Sequence, residues 1–135
     1  MTQEQKELLI KDLCARLPYR IKAYYYGAEE ECETWDEIES ITLDGYVDIG
    51  QYILPIETVK PYLFPLSSMT EEQLYNNPIG FSQMLTIKAD RDWENITIDR
   101  RSYYKLVDWF NKNHFDYRGL IPMGLAIDAT NLNIY

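Results

Sequence analysis

The chain has 135 residues, 46% of them hydrophobic, 14% aromatic and 26% charged, with a formal net charge of −9. That length fits one globular domain, since an ordinary chain of this size removes roughly two thirds of its unfolded surface from water. Six Gly, six Pro and a normal apolar fraction exclude collagen-like and intrinsically disordered chains. No apolar run is long enough to span a bilayer, and the opening MTQEQKELLIKDLCARLP is charged where a signal peptide would be apolar. A soluble protein that stays in the cytoplasm is expected.

The first element is a helix. Thr2 and Gln5 have the spacing of a capping box, and Leu9, Leu13 and Leu17 form an apolar stripe flanked by Ile10 and Cys14. Pro18 disfavours helical geometry at Leu17 and predicts the end of the helix there. From Tyr19 to Tyr26 the apolar period changes to two, which predicts a strand ending at Gly27. Two more strands, Trp35 to Leu43 and Tyr46 to Leu54, are predicted on either side of an Asp44-Gly45 hairpin turn, with the register open.

Pro55, Pro61 and Pro65 exclude the next stretch from the centre of a sheet and leave it an edge position at most. Thr70 and Gln73 predict a helix start that Pro78 and Gly80 cut short. Alternation in 81–98 suggests a hairpin around Asp90-Arg91-Asp92. Asp99 is placed to cap a last long helix carrying Tyr103, Leu106, Val107 and Phe110 and ending near Asn113. The segment beyond, rich in Gly and Pro, predicts a turn with a short buried piece. Together these elements define an α+β fold: an antiparallel sheet of three to five strands packed by an N-terminal and a C-terminal amphipathic helix.

The charge is local. Glu29, Glu30, Glu31, Glu33, Asp36, Glu37, Glu39, Asp44 and Asp48 lie in a stretch without Lys or Arg, so 28–48 alone carries the whole net charge. Such a field repels nucleic-acid phosphates and favours a protein partner with a basic surface, although a charge run often serves only solubility. Tyr24, Tyr25 and Tyr26 cannot all face one core in a strand, so either at least one is exposed as contact area or a helix covers each face of the sheet.

Signals for catalysis are weak. His114 is the sole histidine, and no nucleophile elbow, phosphate-binding loop, dinucleotide fingerprint or calcium loop accompanies it. Cys14 and Cys32, without CxxC spacing, are expected as free thiols, and one histidine with two scattered cysteines cannot complete a zinc set. No metal, cofactor or catalytic residue is assigned. Arg100, Arg101 and Tyr104 mix charge with stacking surface, as single-strand binders do, but on an acidic protein.

Two segments, VKPYLFPLSSMT (59–70) and WFNKNHFDYRGLIPMGLA (109–126), resemble a group of small uncharacterised proteins of bacteriophages, prophages and mobile elements of gut bacteria. The resemblance implies a cytoplasmic context and carries over no activity. Three functions follow as expectations. The first is a non-enzymatic protein binder, in its sharpest form an inhibitor or modulator of a host factor, using Glu29, Glu30, Glu31, Glu33, Asp36, Glu37 and Glu39. The second is a small-ligand site or small enzyme around Asn113, His114, Asp116, Tyr117 and Arg118. The third is a nucleic-acid accessory protein using Arg100, Arg101 and Tyr104.

Overall fold

Helix α1 (Gln3–Arg16) begins with the expected capping box: the Thr2 hydroxyl accepts from the Gln5 amide at 3.1 Å, and the Gln5 side chain accepts from the Thr2 amide at 3.0 Å. The structure, a computed structural model, describes residues 1–25, 34–89 and 93–135. Leu17 remains right-handed helical despite Pro18. The chain passes through a 3₁₀ turn, Leu17–Tyr19, and reverses only at Arg20, whose φ is 60°. The predicted strand starts later, at Lys22 (β1, Lys22–Tyr25), because Tyr19 belongs to that turn and gives its hydroxyl proton to Asp108; the strand's expected end at Gly27 lies outside the described residues.

Strands β2 (Thr34–Ile41), β3 (Tyr46–Ile49) and β4 (Tyr52–Pro55) follow. The Asp44-Gly45 turn is present, with Gly45 at φ 91° and Ile41 opposite Val47. Tyr46 to Leu54 does not form one strand, however, because Gly50 at φ 62° folds it into a second hairpin. A β carbon at Gly50 would lie 2.7 Å from the Tyr25 hydroxyl, so this turn depends on the absence of a side chain.

Strand β5 (Val59–Pro65) corrects the edge assignment. It pairs with β1 through residues 59–61, and with the two-residue strands β6 (Phe115–Asp116) and β7 (Ile127–Asp128) through residues 62–65. The prolines are tolerated because they fall where ladders end: Pro61 opposite Ala23, the last pair with β1, and Pro65 opposite Asp116, the last pair with β6. The seven-stranded sheet runs β4-β3-β2-β1-β5-β6, with β7 also on β5. Its first five strands are antiparallel, and β6 and β7 join β5 in parallel.

The segment after β5 contains the short helix α2 (Glu71–Tyr75), capped by Thr70 and Gln73 as expected. The predicted hairpin over 81–98 is instead helix α3 (Phe81–Ala89) and a 3₁₀ turn, Trp93–Asn95; its proposed tip lies outside the described residues. The buried pair Met84 and Ile87, one turn apart, decides for the helix over the period-two pattern of Leu85, Ile87 and Ala89. Helix α4 (Arg100–Lys112) starts at Asp99, whose carboxylate accepts the Ser102 amide at 2.9 Å.

Two apolar clusters result. One packs Leu9 and Leu13 of α1 on Ala23, Tyr25, Ile38, Val47 and Ile49, the inner face of the sheet. The other gathers Met84, Ile87, Trp93, Leu106 and Phe110 around Phe115 and Tyr117. The fold is thus α+β, with helices α1 and α4 packed as the two apolar stripes required. Alanine at Gly50 meets both a positive φ and the Tyr25 hydroxyl, whereas at Gly80 (φ 96°) nothing lies within 4 Å. Urea denaturation is expected to show a loss of about 1 kcal/mol for Gly80→Ala and about 2–3 kcal/mol for Gly50→Ala; equal losses would refute the close approach.

Candidate functional site

Asp12 and Arg16 lie one turn apart on the core side of α1, both fully buried. Arg16 Nε and Nη2 donate to the two Asp12 oxygens at 2.8 and 3.1 Å, and Nη2 also donates to the Phe115 carbonyl at 2.7 Å. Arg118 completes the group, donating to Asp12 Oδ1 at 2.8 Å from a more accessible position. Both guanidinium carbons lie over the Tyr117 ring, at 5.2 Å for Arg16 and 4.6 Å for Arg118. Tyr117 gives its proton to Asn111 Oδ1 at 2.8 Å, and burial raises its pKa.

His114 turns the chain from α4 into β6, with φ 62°. Its ring stacks on Tyr135 at 3.7 Å between centroids. The Tyr135 hydroxyl donates to the Tyr62 carbonyl at 2.9 Å and accepts from the Lys22 amide at 3.0 Å, filling the position where β1 and β5 part. Burial, reinforced by Arg16 and Lys22, lowers the His114 pKa from 6.5 to about 4. Nδ1 of His114 and Nη1 of Arg16 are buried without a hydrogen-bond partner among the described residues. Neutral and stacked on Tyr135, this imidazole supports packing.

The five residues expected around His114 do not converge on one space. Asn113 donates from its side chain to the Trp109 carbonyl at 2.9 Å, closing the end of α4. His114 faces Tyr135 and Arg118 faces Asp12. Asp116 and Tyr117 are the two that share a cavity, of about 290 Å³, with Leu66, Ser67, Ile121 and Asp128 among its walls. The Asp116 oxygens accept the Leu120 and Ile121 amides at 2.8 and 2.9 Å, and burial raises the pKa of this carboxyl.

Of the expected acidic surface, Glu29, Glu30, Glu31 and Glu33 lie outside the described residues. Glu37 and Glu39 are on β2, and Asp36 sits at the exposed rim of its inner side. Glu37 meets Arg20 at 3.6 Å; Asp36 and Glu39 have no ion-pair partner among the described residues. Arg100, Arg101 and Tyr104 are exposed in the first turns of α4. Cys14 is a free, exposed thiol, and Cys32 lies outside the described residues.

Sequence reasoning missed the Asp12–Arg16–Arg118 group, though the i,i+4 Asp-Arg pair beside the Leu9–Leu13 stripe was its visible signal. It also missed the surface made by the outward side chains of β2, β3 and β4. There Trp35 is 46% exposed and Ile53 72%, with Tyr46, Glu39 and Asp48 on the same strands. Among the described residues, no three His, Cys, Asp or Glu are grouped to hold a metal ion, and no helix is long and apolar enough to cross a membrane. Comparison with family models, with curated proteins and with solved structures finds no match for the chain.

Two outcomes follow from these contacts. Asp12→Ala strands two guanidinium groups and is expected to cost about 3–5 kcal/mol in urea denaturation, whereas Arg118→Ala, which leaves the Arg16–Asp12 pair intact, costs about 1–2 kcal/mol. Above pH 6.5 His114 is neutral in both folded and unfolded chains, and its contribution to stability is complete. Between 6.5 and about 4 the unfolded chain takes up the proton first, so on the order of 2–3 kcal/mol is lost over that window. The single imidazole signal in a nuclear magnetic resonance titration checks this; a midpoint near 6.5 would contradict the enclosed geometry.

Proposed function

We propose that the protein acts without catalysis, by binding a protein partner with a basic surface through the outer face of β2, β3 and β4. The observation that carries this is the combination on one face of Trp35, Tyr46 and Ile53, all exposed, with Glu39 and Asp48. Residues opposite one another in a ladder share a face, so Asp48 and Ile53 stand side by side, as do Tyr46 and Pro55. Helix α1 packs on the opposite face, and no described residue from α2 to α4 joins the cluster under these strands. Aromatic and aliphatic anchors supply the lasting part of an interface, while carboxylates set partner choice, approach rate and salt dependence.

Further support comes from the uneven charge. The segment 28–48 has nine carboxylates and no basic residue, and within its described part only Glu37 is paired. In the phage or mobile-element setting suggested by the resemblance, such a surface would serve to occupy a basic, phosphate-binding face of a host factor.

Affinity capture with Glu39→Lys/Asp48→Lys and, separately, with Trp35→Ala/Ile53→Ser tests the proposal. Each pair is expected to lower recovery of the partner at least about tenfold, and raising salt is expected to lower recovery by the native chain. A partner recovered equally by both variants at unchanged folded content would overturn it.

A further inference from the structure

A separate feature lies where three strands run parallel. The Phe64 amide donates to the His114 carbonyl at 2.8 Å, and the Leu63 carbonyl accepts from the Ala129 amide at 2.8 Å. Backbone groups of successive strand residues point to opposite edges, so the segments of β6 and β7 flank β5 on its two sides. The 290 Å³ cavity lies past the carboxyl ends of all three: Leu66 and Ser67 follow β5, Asp116 ends β6, and Asp128 ends β7. Connections diverging from a central parallel strand create a crevice at this end of a sheet, where ligands commonly bind.

The lining determines what would enter. Asp116 is 7% exposed and has no ion-pair partner among the described residues; its oxygens are held by two backbone amides and retain acceptor capacity. Asp128 Oδ1 accepts the Thr130 amide and hydroxyl at 2.9 and 2.6 Å, and its Oδ2 accepts nothing among the described residues. The Ser67 hydroxyl is a third acceptor, no Lys, Arg or His lines the space among the described residues, and Leu66, Ile121 and Pro122 form an apolar wall. A buried carboxylate that no cationic group meets in a direct ion pair is costly, and a ligand that brings a positive charge and hydrogen-bond donors relieves that cost.

We propose that this cavity binds a primary alkylammonium compound, with the ammonium among Asp116, Asp128 and Ser67 and the alkyl chain against Leu66, Ile121 and Pro122. Three acceptors match the three N–H donors of a primary ammonium. A quaternary ammonium is disfavoured because it has no donor for them, and the Tyr117 ring that would attract it by its π face already has Arg16 and Arg118 over it. The cavity is small for a ligand site, so the compound is a short aliphatic amine.

The test is a titration of the whole chain with n-butylammonium chloride, followed by amide chemical shifts at constant ionic strength, with tetramethylammonium chloride as the second probe. Expected are saturable shifts at Ser67, Leu120, Ile121 and Thr130 with a millimolar dissociation constant. Binding is expected to weaken about tenfold for tetramethylammonium, and about tenfold in Asp128→Asn, each for the loss of charge-assisted hydrogen bonds. Asp128 is the primary variant because Asp116 also holds the turn at Leu120 and Ile121, and an unchanged amide spectrum away from the cavity verifies that Asp128→Asn is folded. Asp48→Asn, on the outer sheet face, is expected to leave binding unchanged. Equal binding of the two cations, shifts confined to 36–48, or no saturation at the cavity would each overturn the proposal.

Discussion

One buried carboxylate holds the frame of this molecule together. Asp12 projects from α1 into a region closed to water, and removing such an ion from solvent costs several kcal/mol unless its lone pairs are met by charge. Arg16 and Arg118 both meet it, the first from one helical turn away and the second from the loop after β6. Because Arg16 also donates to the Phe115 carbonyl, α1 and β6 are tied by one side chain, and Arg118 adds the following loop through Asp12. Burial raises the pKa of the neighbouring Asp116, the Ile121 and Leu120 amides oppose that rise, and the charges of Asp12 and Arg16 act on it in opposite directions. A proton on His114 would be buried and would face the positive charges of Arg16 and Lys22, so this imidazole stays neutral.

The charge group also lies where the two apolar clusters meet. Leu9 and Leu13, on the same side of α1 as Asp12, belong to the cluster beneath the sheet, while Phe115 and Tyr117 belong to the one around α4. Apolar packing alone is permissive about how two such layers slide, whereas the directional charge-assisted bonds from Arg16 to the Phe115 carbonyl and from Arg118 to Asp12 run from the α1 layer to the strand and loop of the other. The sheet consequently has unequal faces. Its inner face is filled by α1, the outer side of the β1–β5 junction is held by Tyr135, and the outer side of β2 to β4 retains Trp35, Tyr46 and Ile53 in contact with water.

Much of this was legible in the sequence wherever a local rule acts alone. Thr2 with Gln5, Thr70 with Gln73, and Asp99 mark three helix starts because capping is settled within four residues. The Asp44-Gly45 turn was legible for the same reason. The failures come where tertiary partners decide. Proline in β5 argues against a central strand only if one partner runs its whole length; here the partners change at the prolines. Leu85, Ile87 and Ala89 alternate, yet the face that is buried contains Met84 and Ile87, and only the neighbouring cluster reveals it. For the site, the residue types at 113–118 drew attention correctly to a structured turn, but the direction of each side chain follows from positive φ at His114 and from the distant partners Asp12 and Tyr135.

The arrangement also separates two surfaces electrostatically. In the order β4-β3-β2-β1-β5, the middle of the outer face at β3 lies three strand spacings, about 14 Å, from β5, where the parallel strands end at the cavity. The screening length at physiological ionic strength is about 8 Å. The outward carboxylates of β2 and β3 therefore contribute little to the potential at Asp116, which is set chiefly by its burial. Carboxylates surrounded by water act on a partner before contact and fade with salt; a carboxylate removed from water acts at contact and resists salt. One acidic chain thus carries negative charge in two physically different forms, and the strand order keeps them independent.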